Sequence, residues 1–259
     1  MRTFDWLRRQ LKDRRSRRQV VSAWFVTPED GRADVTGVAG VAGAYLANPK
    51  AASSGIRNLI RDRESQRLLG QPAGEDRALR ARVERRIKRS LTPAAAAKLR
   101  DRHWVFSFVR NPLTRLHSCY RDKVVNAADR RPRCSLSVYG IEFGISFDEF
   151  VRRVADIPDE RADQHFRSQH TFLMHGDELL VHHLGRLERF DEDWQAVAQR
   201  LGLERPGREH RVSGPPVAAR ELPLTRDAAD RAVRRYARDV EVFDYRGEIE
   251  ALIDRLPAG

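Results

Sequence analysis

The sequence predicts an α/β fold in three layers, with a mostly parallel central sheet flanked by helices. Two patterns point there. Short apolar runs at 41–47, 104–109 and 179–187 alternate with charged segments of helical period, as in parallel strands joined by crossover helices. The first two runs end in loops that carry a cation, Lys50 and Arg110, and lead straight into a helical pattern. In open α/β sheets ligands bind beyond the carboxyl ends of the strands. A chain of 259 residues is long enough to bury a core of this kind.

The elements follow in order. Residues 1–36 read as a basic N-terminal arm and first strand, and 37–259 as the main domain. The arm sets Phe4, Trp6, Leu7 and Leu11 among arginines, the pattern of a frayed arm or of an amphipathic helix on an anionic membrane surface. Residues 20–26 read as a strand and 27–34 as a turn-rich loop. A second strand at 41–47 precedes a helix from near Gly55 to about Arg63, with Ile56, Leu59 and Ile60 on one face. Residues 70–102 read as helical, Thr92-Pro93 opening one helix. The run 104–109 is a buried strand, and Pro112 opens a helix to Val125. Residues 126–145 look like a loop. Ser146 with Glu149 forms a capping box for a helix through Val154. A strand at 179–187 is followed by a helix at 191–201, stopped by Gly202. After a loop at 210–216, helices at 224–238 and 246–256 close the chain.

Two loops carry the chemistry. In Asn48-Pro49-Lys50-Ala51-Ala52-Ser53-Ser54, a strand, a Lys/Ser loop and a helix follow one another. That P-loop-like layout cradles a phosphate with backbone N–H groups and a helix N-terminus. The Gly and Lys spacing of a Walker A loop is absent. The chain holds 44 Arg and 5 Lys, so a Lys at position 50 stands against the compositional bias and suits a compact ammonium. Downstream, Arg110 ends a strand and Ser118 lies two turns into the next helix. A fixed cation and a hydroxyl there suit a phosphate held in one place. Arg115 and Arg121 share that helix, where a ligand role and a solvated face both fit.

The pattern Arg110-Asn111-Pro112-x-x-Arg115-Leu116-x-Ser118-x-Tyr120-Arg121-Asp122-Lys123 resembles the 3'-phosphate-binding motif of the carbohydrate sulfotransferases. These are the Golgi-type enzymes that use 3'-phosphoadenylyl sulfate (PAPS) and their bacterial relatives. The Lys50 loop is similar to the family's 5'-phosphosulfate loop, with Gly55 and Ile56 where small polar and Trp residues are usual. The segments 163–170, 184–194 and 236–245 resemble three further family motifs, in the family's order. Phe166 and Ser168 replace a Trp and a Pro, and Asn111 replaces the commoner Asp. The resemblance implies PAPS as co-substrate with no metal. It implies Lys50, Ala51, Ala52, Ser53 and Ser54 on the phosphosulfate, and Arg110 and Ser118 on the 3'-phosphate. It also implies a hydroxyl acceptor on a glycan or glycolipid.

Sulfuryl transfer needs a base at the acceptor hydroxyl and positive charge on the leaving oxygen. Lys50 is the candidate cation. Histidine is the natural base near neutral pH, and His165 matches the family's His-Trp segment. Asp163, Arg167 and His170 are near enough in sequence to orient it, and His170 is the alternative base. His103 starts a strand at the wrong end, and His117 lies beside Ser118. Adjacent His182 and His183 on a strand would point to opposite faces, against a shared metal.

Net charge is +12, which suits polyanionic ligands or reflects an Arg-decorated surface. No specific nucleic acid is expected, for aromatic content is only 8% and no nucleic-acid motif appears. No apolar stretch reaches the length of a membrane span, residues 1–18 lack the core of a secretory signal, and two cysteines make no disulfide framework. These features, with no Golgi-type anchor, lead us to expect a cytoplasmic enzyme. Alternatives left open are a small-molecule sulfotransferase, a P-loop-like phosphotransferase, and a non-catalytic polyanion or nucleic-acid binder.

Overall fold

A computed structural model describes residues 21–26, 43–72, 74, 76–91, 93–129, 131–207 and 222–256. The arm at 1–20 and the loops read at 27–34 and 210–216 lie outside them. The chain divides into two compact units, residues 1–108 with 171–213, and residues 109–170 with 214–259.

The first unit is built on a five-stranded mixed sheet. Its strands are β1 (Val21–Val26), β2 (Gly43–Leu46), β3 (Lys88–Leu91), β4 (Trp104–Val109) and β7 (His183–Arg186), in the order β3-β1-β2-β4-β7. Strands β2, β4 and β7 form its parallel part, flanked by helices as the alternating pattern requires. Tyr45 of β2 faces Phe106 of β4, so both rings project from one face. Against that face pack α1 (Ser53–Leu69) through Ile56, Leu59 and Ile60, and α2 (Arg77–Ile87) through Val83 and Ile87. Helix α7 (Phe190–Leu201) adds Phe190, Trp194, Val197 and Leu201 to the same core. The expected strand at 104–109 is present residue for residue. Helix α1 runs a turn and a half beyond the expected end, to Gly70, whose φ of 72° is left-handed.

Two glycines on the sheet are there for space. A Cβ on Gly43 would run into Leu201, and one on Gly185 would enter the ring of Phe108. Among the described residues, no helix is long and apolar enough to cross a membrane.

Two expectations in this unit need correction. Between α2 and α3 (Pro93–Arg100), residues 88–91 form strand β3 rather than helix. The reason is tertiary: β3 pairs antiparallel with β1, Val21 opposite Leu91, which local charge pattern does not reveal. The run 179–187 is not one strand. Leu179 closes a hairpin of β5 (Met174–His175) and β6 (Glu178–Leu179), turned at Gly176 with φ 63°. The chain then resumes as β7 and ends in a 3₁₀ turn, Leu187–Arg189.

The second unit is helical. Helix α4 (Pro112–Tyr120) continues through a π-helical stretch, Arg121–Val125, where the pitch loosens by one residue. Helix α5 (Phe147–Ala155) begins as its capping box predicts, with the Ser146 hydroxyl accepting from the Glu149 N–H. The expected helix at 224–238 is broken. Helix α8 (Arg226–Arg235) stops at Tyr236, which leaves helical geometry at φ −107°, and α9 (Ala237–Val242) starts anew. Helix α10 (Arg246–Ile253) closes the unit. Its core joins Leu113, Leu116, Phe147, Phe150, Phe166 and Tyr236.

Candidate active site

In the first unit, the β2 strand leads through residues 47–52 into α1. Asn48 is wholly buried, and its side-chain amide donates to the Phe108 carbonyl at 2.9 Å, tying the loop's base to β4. Lys50 and Ala52 both take left-handed backbone, φ 69° and 58°, with Ala51 N–H donating to Asn48 O between them. Each such residue costs about 1–2 kcal/mol when it is not glycine. Strain of this kind persists only where the surroundings over-determine it.

Ala52 is the N-cap of α1 and supplies no side-chain cap. The first helical bond runs from Ile56 N–H to Ala52 O. The N–H groups of Ser53, Ser54 and Gly55 precede it, where a helix offers no internal acceptor. The helix expected from near Gly55 starts two residues earlier, at Ser53. Ser53 is buried and Ser54 exposed, while Lys50 is half-buried. Burial pushes the Tyr45 hydroxyl up to about 12, with Ser53 and Arg57 drawing it the other way. A half-buried lysine beside a helix N-terminus is a combination that can attract a compact anion.

In the second unit, Arg110 directly follows β4 and is only 5% exposed. Its Nε donates to Thr114 Oγ1 at 3.1 Å, one helical turn on. Its backbone is held by one side chain. Gln169 accepts from Arg110 N–H at 3.0 Å and donates its amide to Arg110 O at 2.7 Å. Asn111 caps α4 by accepting from Leu113 and Thr114 N–H. Ser118 is half-buried on α4. His117 packs edge-on to Phe147, and burial, then Arg121 and Arg110, lower its pKa.

Arg115 is not a solvated arginine. It is 2% exposed and donates to the carbonyls of Arg167 at 2.8 Å and Gln164 at 3.4 Å. Burial lowers its pKa, with Tyr236 and Asp239 the main opposing influences. Arg121, by contrast, is exposed.

The segment that carries His165 is fixed at many points. Arg235 donates to Asp159 at 2.6 Å and to Ser168 Oγ at 2.9 Å, and Tyr236 donates its hydroxyl to Phe166 O. Asp239, wholly buried, accepts from the N–H groups of Gln169 and His170 at 2.7 and 2.8 Å. Asp163 is the residue that orients His165. Its Oδ1 lies 2.6 Å from His165 Nδ1 and also accepts from the His165 N–H at 2.9 Å. Burial works to raise the Asp163 carboxyl, but the hydrogen bonds from His165 win and hold it below its usual value. An ionised carboxylate only accepts, so the neutral ring carries its proton on Nδ1 and its basic lone pair on Nε2. His170 has the same arrangement with Asp239, Nδ1 to Oδ1 at 2.7 Å.

His103, His182 and His183 belong to the first unit. Burial pushes His103 down to about 4. His182 accepts from Val105 N–H on its Nδ1, whereas His183 directs Nε2 to Asp193 O, so the pair diverges as expected. The structure thus gathers residues 50–54 at the turn into α1, and Arg110 with Thr114 and Gln169 around the start of α4. Sequence reasoning missed Asn48, Thr114, Gln169 and Asp239. Of these, Thr114 alone had a local signal, its spacing of four from Arg110 on a helix.

A left-handed loop entering a helix and a buried arginine at a strand end are thus set on a mixed α/β sheet flanked by helices. The sequence profile of the sulfotransferase family matches residues 44–246, and the chain belongs to that family. Its members are transferases acting on hydroxyl-bearing acceptors. No curated protein and no solved structure matches the chain.

Proposed function

We propose that the protein transfers a sulfuryl group from PAPS to a hydroxyl on a carbohydrate or glycolipid. The observation that supports this most is the Lys50 loop. Left-handed backbone at Lys50 and Ala52 marks the entry to α1 as a specialised turn, the kind of loop that can present an ammonium and a helix N-terminus to an anion. The loop at residues 51–54 holds the 5'-phosphosulfate through the backbone N–H groups of residues 52–54 and the Ser53 and Ser54 hydroxyls. Arg110 and Ser118 hold the 3'-phosphate.

In the reaction, His165 Nε2 takes the proton of the acceptor hydroxyl as its oxygen attacks sulfur. The bond from sulfur to the bridging phosphate oxygen breaks, and Lys50 stabilises the charge left on that oxygen. The products are a sulfate ester and adenosine 3',5'-bisphosphate. A net charge of +12 favours acidic glycans or headgroups at an anionic surface, with the basic residues 1–18 against it.

The test is transfer of labelled sulfate from PAPS into a panel of glycans, glycolipids and small phenols, with release of the bisphosphate followed in parallel. The bisphosphate at micromolar concentration should raise the melting temperature, and ATP much less. Absence of both transfer and stabilisation would overturn the proposal.

A further inference from the structure

Gln169 has an unusual task for a side-chain amide. It is wholly buried, and it pairs with both backbone polar groups of a single residue, Arg110, as a neighbouring strand would. Nothing in the sulfuryl-transfer chemistry uses it. It sits at the end of a chain of bonds: Asp239, buried inside the unit, accepts the Gln169 and His170 N–H groups and so fixes where the amide stands. At the other end, Thr114 Oγ1 receives Arg110 Nε and itself donates to Asn111 O at the start of α4. The Arg110 backbone and the root of its guanidinium are therefore held from two sides. A planar, bidentate guanidinium recognises a phosphate only in one orientation, so such bracing sets its selectivity.

We infer that Gln169 and Asp239 are positioning residues for recognition of the 3'-phosphate, acting through Arg110. This rests on the reading of Arg110 as the 3'-phosphate ligand. Neither residue touches the nucleotide. Gln169 fixes the main chain from which Arg110 extends, and Asp239 fixes Gln169. The consequence is selective: their loss should weaken ligands that have a 3'-phosphate and spare those that lack it.

The test measures calorimetric affinities of adenosine 3',5'-bisphosphate and adenosine 5'-monophosphate for the parent protein, Arg110→Ala, Gln169→Met and Asp239→Asn. Gln169→Met keeps length and volume but removes both bonds. It should weaken the bisphosphate about 10- to 100-fold, the effect of unpairing buried backbone groups that hold a charged contact. The monophosphate should change less than about 2-fold. Asp239→Asn should show the same selectivity to a smaller degree.

If Arg110→Ala weakens both nucleotides equally, the reading of Arg110 fails, and the inference with it. If Arg110→Ala is selective but Gln169→Met is not, the inference alone is overturned. Should Gln169→Met not fold, Gln169→Glu replaces it. Its acid form at low pH can still donate to Arg110 O, while its carboxylate faces that oxygen with like charge. Selective binding of the bisphosphate should then recover as pH falls from 8 to 5.5, and a flat profile would count against the inference.

Discussion

Around Lys50 the chain holds its candidate anion site with the backbone, by placing two non-glycine residues in left-handed geometry. Around Arg110 the backbone stays ordinary, and buried side chains do the holding. The integrity of the first arrangement depends on main-chain torsions. The second has ordinary torsions, and its integrity depends on Gln169, Thr114, Arg115 and Asp239 each keeping its partner. Substitutions should therefore divide. Those that alter torsional preference are felt in the first region, and those that truncate a buried polar side chain are felt in the second.

The largest effect should come from the chemistry that the second region supports. His165→Ala should lower the rate roughly 100- to 10,000-fold with bisphosphate affinity retained. If His170→Ala carries the larger rate loss instead, the base is the other Asp-paired ring.

Next is the cation of the first region. Lys50→Ala should reduce kcat on the order of 100-fold, and Lys50→Arg should recover only part of it, because the guanidinium is larger and its charge diffuse. An unchanged kcat in Lys50→Ala would remove Lys50 from the reaction. Arg110→Ala should cost at least about 2 kcal/mol of bisphosphate binding through lost charge-assisted bonds. Equal affinity in parent and variant would sink that assignment.

Stability sharpens the contrast. Asp159 is held below its usual pKa: burial works to raise it, but hydrogen bonds from Arg235 and Ser168 prevail. A depressed carboxylate stabilises the folded state above its unfolded pKa of about 3.9, and that stability is lost as pH falls through the folded value. Asp159→Asn should therefore lower the melting temperature at pH 7, by the equivalent of about 1.5–3 kcal/mol for a charged hydrogen-bond partner, and much less near pH 2. A gap independent of pH would mean that the carboxylate charge is not what matters.

The smallest effect belongs to the loop. Ala52→Gly should be neutral or stabilise by up to about 1 kcal/mol, since relief of left-handed strain is offset by added freedom in the unfolded chain. Ala52→Val should destabilise. Equal stability of the two variants would remove torsional strain from the account of this loop.

Local pattern made β4 and the capping box legible. Trp104–Val109 is an apolar run between punctuating residues, and Ser146 with Glu149 is a cap written in four positions. The candidate Lys50, Arg110 and His165 were also legible, because a rare Lys, a strand-end Arg and a His in a resemblance segment stand out singly. What supports them was not. Strand β3 exists because β1 offers it an edge, and Ala52 adopts a torsion that alanine disfavours. The bond from Gln169 to Arg110 spans 59 residues, and that from Asp239 to Gln169 spans 70. Two motifs that looked separate in the chain, 163–170 and 236–245, turn out to be each other's partners. No spacing rule encodes such a pairing.

Gly185 and Phe108 carry a consequence for descent. Because a Cβ on Gly185 would enter the Phe108 ring, neither position is free to drift alone. A lineage that gains alanine at 185 must already hold a smaller residue at 108, and one that keeps the aromatic must keep the glycine. The two sites should be inherited as a unit. Gly185→Ala, damaging by itself, should be rescued by Phe108→Leu introduced with it.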